Sequence, residues 1–333
     1  MLAALGNGVK GGKWYSLMDK VYSLSTLEAA WERVKANKGV AGIDRISIKR
    51  FKAQREKYLI ELHETLKAGT YRPEAVKRVY IPKSDGKQRP LGIPTVKDRV
   101  VQAAVKMVLE PIFEHEFLPM SYGFRPQRGC KDALREVDAL IKGGYTFILD
   151  ADLKSYFDTI PHDKLMQQVE QRISDGKLLN LIRLFLQQDV MDGLERWTPT
   201  GGSPQGAVVS PLLANIYLHP LDKLIAKSGM RMVRYADDFV ILSRSQTESE
   251  DALQKVREWV QANDLSLHPD KTHLGDCRQP GQGFEFLGYR FEAGKRWIRS
   301  KSRKALRDKI RKETRRKRSG SMESIIEDLS PML

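Results

Sequence analysis

The stretch VRYADDFVIL, Val233 to Leu242, constrains the fold more than any other ten residues of this chain. Two arms rich in β-branched and aromatic residues flank Ala236-Asp237-Asp238, so the segment reads as strand–turn–strand. Adjacent carboxylates repel each other and cost free energy wherever apolar surroundings exclude water. Taken alone, the doublet has two readings. It is a solvated hairpin turn, for which Asp is well suited, or it is part of a cation site. A second segment bears on the choice: YTFILDADLKSYFD, from Tyr145, is another apolar strand, and it runs into Asp150 and Asp152. If the two strands are neighbours in one sheet, three carboxylates converge, a density that calls for hard divalent cations such as Mg²⁺. Two such ions about 3.5–4 Å apart would activate a hydroxyl and stabilise a leaving pyrophosphate.

The rest of the chain alternates helices and strands. Residues 20–70 read as mainly helical. STLEAAWERVKANK has Ser25 or Thr26 as N-cap, KGVAGID is a Gly-rich loop, and SIKRFKAQREKYLIELHETLKAG predicts one helix to Gly69. AVKRVYIPKSDGKQRPLGIP holds Asp85-Gly86 between two extended arms, a hairpin signal. KDRVVQAAVKMVLEPIFEHEF predicts a long helix, and after the loop SYGFRPQRG comes another, CKDALREVDALIKG. Beyond the strand ending at Asp150, helices are expected from about His162 and over LLNLIRLFLQQ. GGSPQGAVVS is a tight loop feeding a helix, with Ser210 as N-cap and Pro211 at the first helical position. ESEDALQKVREWVQAN is a helix, LSLHPDKTHLG a short strand and loop, and FEFLGYRFE a last strand pair. The pattern predicts an α+β fold, an antiparallel sheet backed by helices.

Composition narrows the partners. At 41 % apolar content, 333 residues can bury one large core or two subdomains. No run of apolar residues is long enough to span a bilayer, and the N-terminus lacks a secretory signal. Cys130 and Cys277 sit far apart in no ligand-like spacing, which reads as reduced thiols in a cytosolic protein without zinc. Of the net charge of +15, all but +3 lies in Lys295 to Arg318, where fourteen Lys and Arg face only Asp308 and Glu313. Such a run suits a polyphosphate partner, or is a solvated helix face or basic tail.

Together these blocks resemble a known family. YADD at 235–238 resembles the Y-x-D-D box of reverse transcriptases, and DLKSYFDTIPHDKL from Asp152 resembles their first catalytic box. GGSPQGAVVSPLLANIYLHPLD is similar to the block between them; LSLHPDKT and FEFLGYRF are similar to the two that follow. Upstream, YIPKSDGKQRPLGIPTVKDRVVQ and SYGFRPQRG resemble the fingers boxes, and GVAGIDRISIKRF the additional N-terminal block of the group II intron branch. The blocks occur in family order over roughly residues 30–290. The likeness points to a bacterial group II intron-encoded reverse transcriptase, or maturase.

The resemblance implies a right-hand polymerase fold: a ferredoxin-like antiparallel palm sheet backed by helices, with fingers and a partial helical thumb. It divides the chain into an N-terminal helical extension (1–70), fingers (71–145), palm (146–292) and a basic segment opening a truncated thumb (293–333). It implies two Mg²⁺, with Mn²⁺ able to substitute, held by Asp152, Asp237, Asp238 and the backbone carbonyl of Leu153; Asp150 is the structural alternative. Phe157 would be a steric gate against ribonucleotides, or plain core. Lys83 and Arg89 would clamp the dNTP triphosphate, though without the resemblance they read as solvated charge. Gln205 would face the nascent base pair, and Lys271 would be a general acid for pyrophosphate. The loop departs from the usual T-P-Q-G-G at Ser203 and Ala207. Arg125 and Arg128 would touch the template, and Phe286, Leu287 and Gly288 would grip the primer. Arg303, Arg307 and Arg311 would follow the duplex.

The implied activity is RNA-directed DNA synthesis, a nucleotidyl transfer, by a retroelement protein of intron homing and RNA splicing. Its implied partners are an RNA template, a DNA or RNA primer, dNTPs and group II intron RNA, in the bacterial cytoplasm and away from membranes. The resemblance leaves the oligomeric state open. The chain ends at Leu333 inside what should be a thumb helix, which reads as a truncated copy, and no nuclease motif is expected. Two alternatives stay open: an RNA-binding splicing cofactor with a dispensable polymerase site, and a domesticated relative serving CRISPR spacer acquisition, phage defence or diversity generation.

Overall fold

The computed structural model describes residues 12–82, 88–315 and 321–330. The chain opens with helices α1 (Met18–Tyr22), α2 (Leu24–Ala36), α3 (Ile48–Ala53) and α4 (Arg55–Ala68). Ser23 caps α2, accepting from Thr26 N at 3.3 Å, so the capping hydroxyl lies just ahead of the expected Ser25 or Thr26. The single helix expected to Gly69 breaks at Gln54. Phe51 and Tyr58, on either side of the break, form one aromatic cluster with Trp31. Gly69 ends α4 in the left-handed conformation, at φ 74°, which favours glycine.

Strands β1 (Val76–Pro82) and β2 (Gln88–Ile93) pair antiparallel, as the Asp85-Gly86 signal anticipates; the turn itself and Lys83 lie outside the described residues. Helices α5 (Val96–Glu114) and α6 (Cys130–Lys142) follow, then β3 (Phe147–Asp152), α7 (Tyr156–Thr159), α8 (His162–Glu170) and α9 (Gly176–Leu186). A short hairpin not anticipated from sequence comes next, β4 (Val190–Asp192) and β5 (Glu195–Trp197), turning at Asp-Gly. It extends the β1–β2 sheet in the order β2-β1-β4-β5. The expected palm stretch therefore supplies strands to the expected fingers sheet.

Helix α10 (Ser210–Lys227) leads into β6 (Arg231–Tyr235), β7 (Asp238–Ser243), α11 (Gln246–Ala262) and β8 (His273–Asp276). Val209, not Ser210, occupies the N-cap of α10. The Ser210 hydroxyl instead donates to Pro204 O at 2.9 Å, tying the Ser-Pro-Gln loop to the helix start. Strands β9 (Phe284–Phe286) and β10 (Tyr289–Glu292) form the expected pair, and β11 (Lys295–Ile298) adds to its edge. The basic helix thus begins later than Lys295, as α12 (Ser300–Glu313), before α13 (Met322–Leu329).

The central sheet has the order β6-β7-β3-β8 and is antiparallel throughout. Period-two alternation sends Leu149, Ala151, Phe239 and Ile241 into the larger core with α5, α8, α9 and α10. Ile148, Val240 and Leu242 face the other way, against α6 and the aromatic side chains Phe284, Phe286 and Phe291. With both faces covered, the sheet holds its strand ends rigid. Those ends carry the site.

Candidate active site

Register decides what converges. On β3 and β7, Asp152 lies opposite Asp238 and Asp150 opposite Val240. Alternation puts Asp150, Asp152 and Asp238 on the face shared with Ile148 and Val240. Asp237 occupies the β6–β7 turn beside them. The strand expected to stop at Asp150 runs on to Asp152, and Leu153 bridges Leu267 just beyond.

The carboxylates feel one another. Burial, then the neighbouring charges of Asp152 and Asp237, pushes Asp238 from 3.8 up to about 7. Burial and then Asp152 also raise Asp237, against nearby Arg89 and Lys271. Asp150 rises to about 8, through burial and then Asp238, Asp152 and Glu285. Lys271 donates to Asp152 Oδ2 across the mouth. Among the described residues, no three His, Cys, Asp or Glu side chains are gathered closely enough to form a ready cation cage. The donor chemistry nevertheless fits Mg²⁺: crowded, half-dry carboxylates are stabilised by a divalent cation, and oxygen is the ligand Mg²⁺ takes. Asp152, Asp237 and Asp238 are the residues that could hold it.

The crowding has a consequence for stability. Metal-free, Asp238 keeps its proton in the fold at pH values where the unfolded chain has lost it. Its penalty is absent below 3.8, grows as pH rises, and is complete above about 7. Asp238→Asn in EDTA is therefore expected to raise Tm by a few degrees at pH 8 and not at pH 4. The gain is on the order of 2 kcal/mol after solvent screening. A Tm difference between variant and wild type that is the same at pH 8 and pH 4, measured by calorimetry, would show that burial and the neighbouring carboxylates do not penalise the Asp238 charge.

A cleft of about 820 Å³ opens over this corner, lined by Arg89, Asp150, Asp152, Asp238, Lys271 and Arg299 among others. Arg89 reaches it from β2, opposite Ile81. A second pocket of about 220 Å³ is bounded by Phe157, Gly202, Ser203 and Gln205. Phe157 is half-buried, edge-on to Phe124 at 6.2 Å, and its carbonyl accepts from Ser203 N at 2.7 Å. Gln205 O accepts from Gly92 N at 2.7 Å. Gly206 has φ +106°, and a Cβ there would lie 2.4 Å from Gly92 O, so this crossing requires glycine. Ala207 is buried without disturbing the loop, its N–H bonding Pro204 O.

Two template or primer assignments need correction. Arg125 is 8 % exposed, and its guanidinium is consumed by Glu114 and the carbonyls of Leu118 and Ser121. It holds the loop together and is not presented to a template. Arg128 donates to Pro119 O and lies over the Tyr122 ring, yet remains partly exposed. Phe286 is fully buried in the second core, so its side chain grips nothing. The turn Leu287–Gly288, with φ 48° and 85°, is partly exposed, with Leu287 packed against the same core. Arg303, Arg307 and Arg311 form an exposed stripe on α12 at four-residue spacing.

Sequence reasoning missed a buried group beneath the doublet. Arg234 and Asp222 are both 0 % exposed and form a bidentate pair at 2.7 and 2.6 Å. Burial alone would raise Asp222; Arg234 outweighs it and holds the carboxyl low. The available signal was a charge inside each of two largely apolar segments, Arg234 in MVRYA and Asp222, next to Lys223, in YLHPLDKLI.

A sequence model of the reverse transcriptase (RNA-dependent DNA polymerase) family matches residues 81–291, which include the carboxylates, Arg89, Phe157, Gln205 and Lys271. The chain belongs to the reverse transcriptase family. It is 35 % identical to Protein YkfC of Escherichia coli K12, over 79 % of this chain and 77 % of that protein. It is 39 % identical to the group II intron-encoded protein LtrA of Lactococcus lactis, over 62 % of this chain but only 34 % of LtrA. The chain thus spans about a third of that longer relative. Telomerase from Candida albicans shares the fold at a TM-score of 0.52 and 14 % identity, covering 86 % of this chain and 57 % of that one. The α+β architecture, with its antiparallel central sheet backed by helices, is that of reverse transcriptase fingers and palm. No helix among the described residues is long and apolar enough to cross a membrane.

Proposed function

We propose that this chain is an RNA-directed DNA polymerase of the group II intron type. The observation that carries the reading is the register of β3 against β7, which sets Asp152 beside Asp238 in one cleft with Arg89 and Lys271. The turn residue Asp237 lies close enough to feel the charges of Asp152, Arg89 and Lys271. In this reading residues 1–70 are the N-terminal extension, 71–145 the fingers, 146–292 the palm, whose β4–β5 hairpin joins the fingers sheet, and 293–333 a basic thumb segment. Asp152, Asp237, Asp238 and the Leu153 carbonyl would hold two Mg²⁺, which supply Lewis-acid stabilisation of the reacting oxygens. The primer 3′-hydroxyl oxygen bonds to the α-phosphorus of a dNTP, the bond to the β-phosphate oxygen breaks, and the hydroxyl proton leaves to solvent. Arg89 binds the triphosphate. Lys271, at the mouth of the cleft, gives a proton to the departing pyrophosphate. Gln205 and Gly206 back the nascent pair.

Phe157 selects the sugar by occupying the space of a 2′-hydroxyl. Phe157→Val is expected to raise ribonucleotide use about tenfold or more, measured as kcat/KM for rNTP against dNTP. Unchanged discrimination would leave Phe157 as core packing only. Primer extension by the wild-type chain on an RNA template, with dNTPs and Mg²⁺, tests the function itself. No RNA-templated product would sink it.

The name of LtrA brings group II intron RNA to this reading as a partner, and with it a role in RNA splicing. The basic stripe of α12 supports contact with such RNA. Work on cytoplasmic nucleic acid goes with these substrates.

A further inference from the structure

Left-handed backbone at a residue bearing a side chain persists only where its surroundings over-determine it. Ala236, at φ +61°, is such a residue, and it directly precedes the acidic pair. Its carbonyl accepts from Arg234 Nη1 at 2.8 Å. That guanidinium cannot turn away: Nε and Nη2 bond the Asp222 carboxylate, and Nη1 also bonds Asn215 Oδ1 at 2.9 Å. Asn215 in turn donates to Gly123 O at 2.8 Å. Gly123 closes the turn from the other side. A Cβ there would stand 2.3 Å from Ala236 N, so only glycine lets the two backbones lie together. The backbone of Arg234 is clamped as well, its N–H bonding Met120 O and its carbonyl Tyr122 N.

A buried pair of this kind is weak evidence of stability for its own sake, because apolar residues of similar volume often serve as well. An apolar pair cannot donate to a carbonyl. We propose that Arg234, locked by Asp222 and Asn215, is the positioning residue of this site: it fixes the left-handed turn at Ala236 and thereby the direction of the Asp237 and Asp238 carboxylates. Being 0 % exposed, it touches neither nucleotide nor primer. The inference rests on the polymerase reading of the same site.

The decisive variant is Arg234→Met with Asp222→Leu, which removes both charges and keeps the volume. It is expected to melt cooperatively yet bind Mn²⁺ about tenfold more weakly in nucleotide-free titration calorimetry. On the RNA template its kcat should fall about 10–100-fold, while KM for dNTP moves less than about threefold. Asn215→Leu leaves the ion pair intact and should shift Mn²⁺ affinity and kcat in the same direction by less. A merely structural role would lower the folded fraction and leave both quantities unchanged per folded molecule. Wild-type Mn²⁺ affinity and kcat in a folded double variant would overturn the proposal. Where that variant does not fold, wild-type values for Asn215→Leu overturn it. An inactive wild-type control sinks the polymerase reading instead, and the Mn²⁺ titration still decides the role of the turn.

Discussion

Asp237→Asn is expected to cut RNA-templated primer extension by about 10³-fold or more, since losing a ligand to the reacting cations removes several kcal/mol of stabilisation. Asp152→Asn should do the same. The fold should survive in both, because Asp152 and Asp238 end their strands and Asp237 lies in the turn, while β3 and β7 are held by Leu149, Ala151, Phe239 and Ile241. The instructive control is Asp150→Asn. Asp150 lies on the same face as Asp152, lines the same cleft and, besides its burial, feels the charges of Asp238, Asp152 and Glu285. It is nevertheless one pleat further from the strand end, opposite Val240 and 3.7 Å from His273. Activity within about tenfold of wild type is expected there. If Asp150→Asn abolished extension and Asp152→Asn spared it, the ligand assignment would move two residues up the strand. Full activity in Asp237→Asn would end the polymerase reading.

Much of this was legible in the chain, and the boundary of legibility is physical. The apolar strands around the doublet could be read because both their faces are buried and their period is short. The convergence of a β3 carboxylate with Asp238 was legible only on the condition that the two strands are neighbours, and the choice of Asp152 over Asp150 came from the family resemblance. The register supplies the pairing. The β4–β5 hairpin was missed because each strand is three residues long, too short for alternation to register, and only Asp192-Gly193 marked it. Arg125 was misjudged for a different reason. An Arg in a loop looks solvated until a partner distant in sequence claims it, here Glu114. Arg234 and Asp222 were invisible as a pair because nothing local ties a strand residue to a helix twelve positions earlier. Phe286 shows the reverse error. Its box was recognised as a unit, but the alternation inside FEF sends the outer rings into the core and leaves Glu285 exposed.

The basic helix makes the second large prediction, and its structure sharpens the test. Because β11 pairs with β10, removing everything from Lys295 would strip an edge strand from the sheet as well as charge. Neutralising the exposed stripe avoids that: Arg303→Gln, Arg307→Gln and Arg311→Gln together leave the sheet and both cores untouched. Each arginine–phosphate pairing removed should lower the slope of log K against log salt by about 0.9 for a duplex, so the triple variant should lose between 2 and 3 from the slope, roughly. If the two proteins bind template–primer equally near 1 M salt, where counterion release contributes little, the variant must bind about 10²–10³-fold more weakly at 0.1 M. Fluorescence anisotropy across that salt range reads both numbers. A slope equal to wild type would mean that the stripe faces water and that the duplex is held elsewhere in the cleft. A lower affinity with an unchanged slope would mean that the substitutions act through the fold of α12 and not through pairing with phosphates.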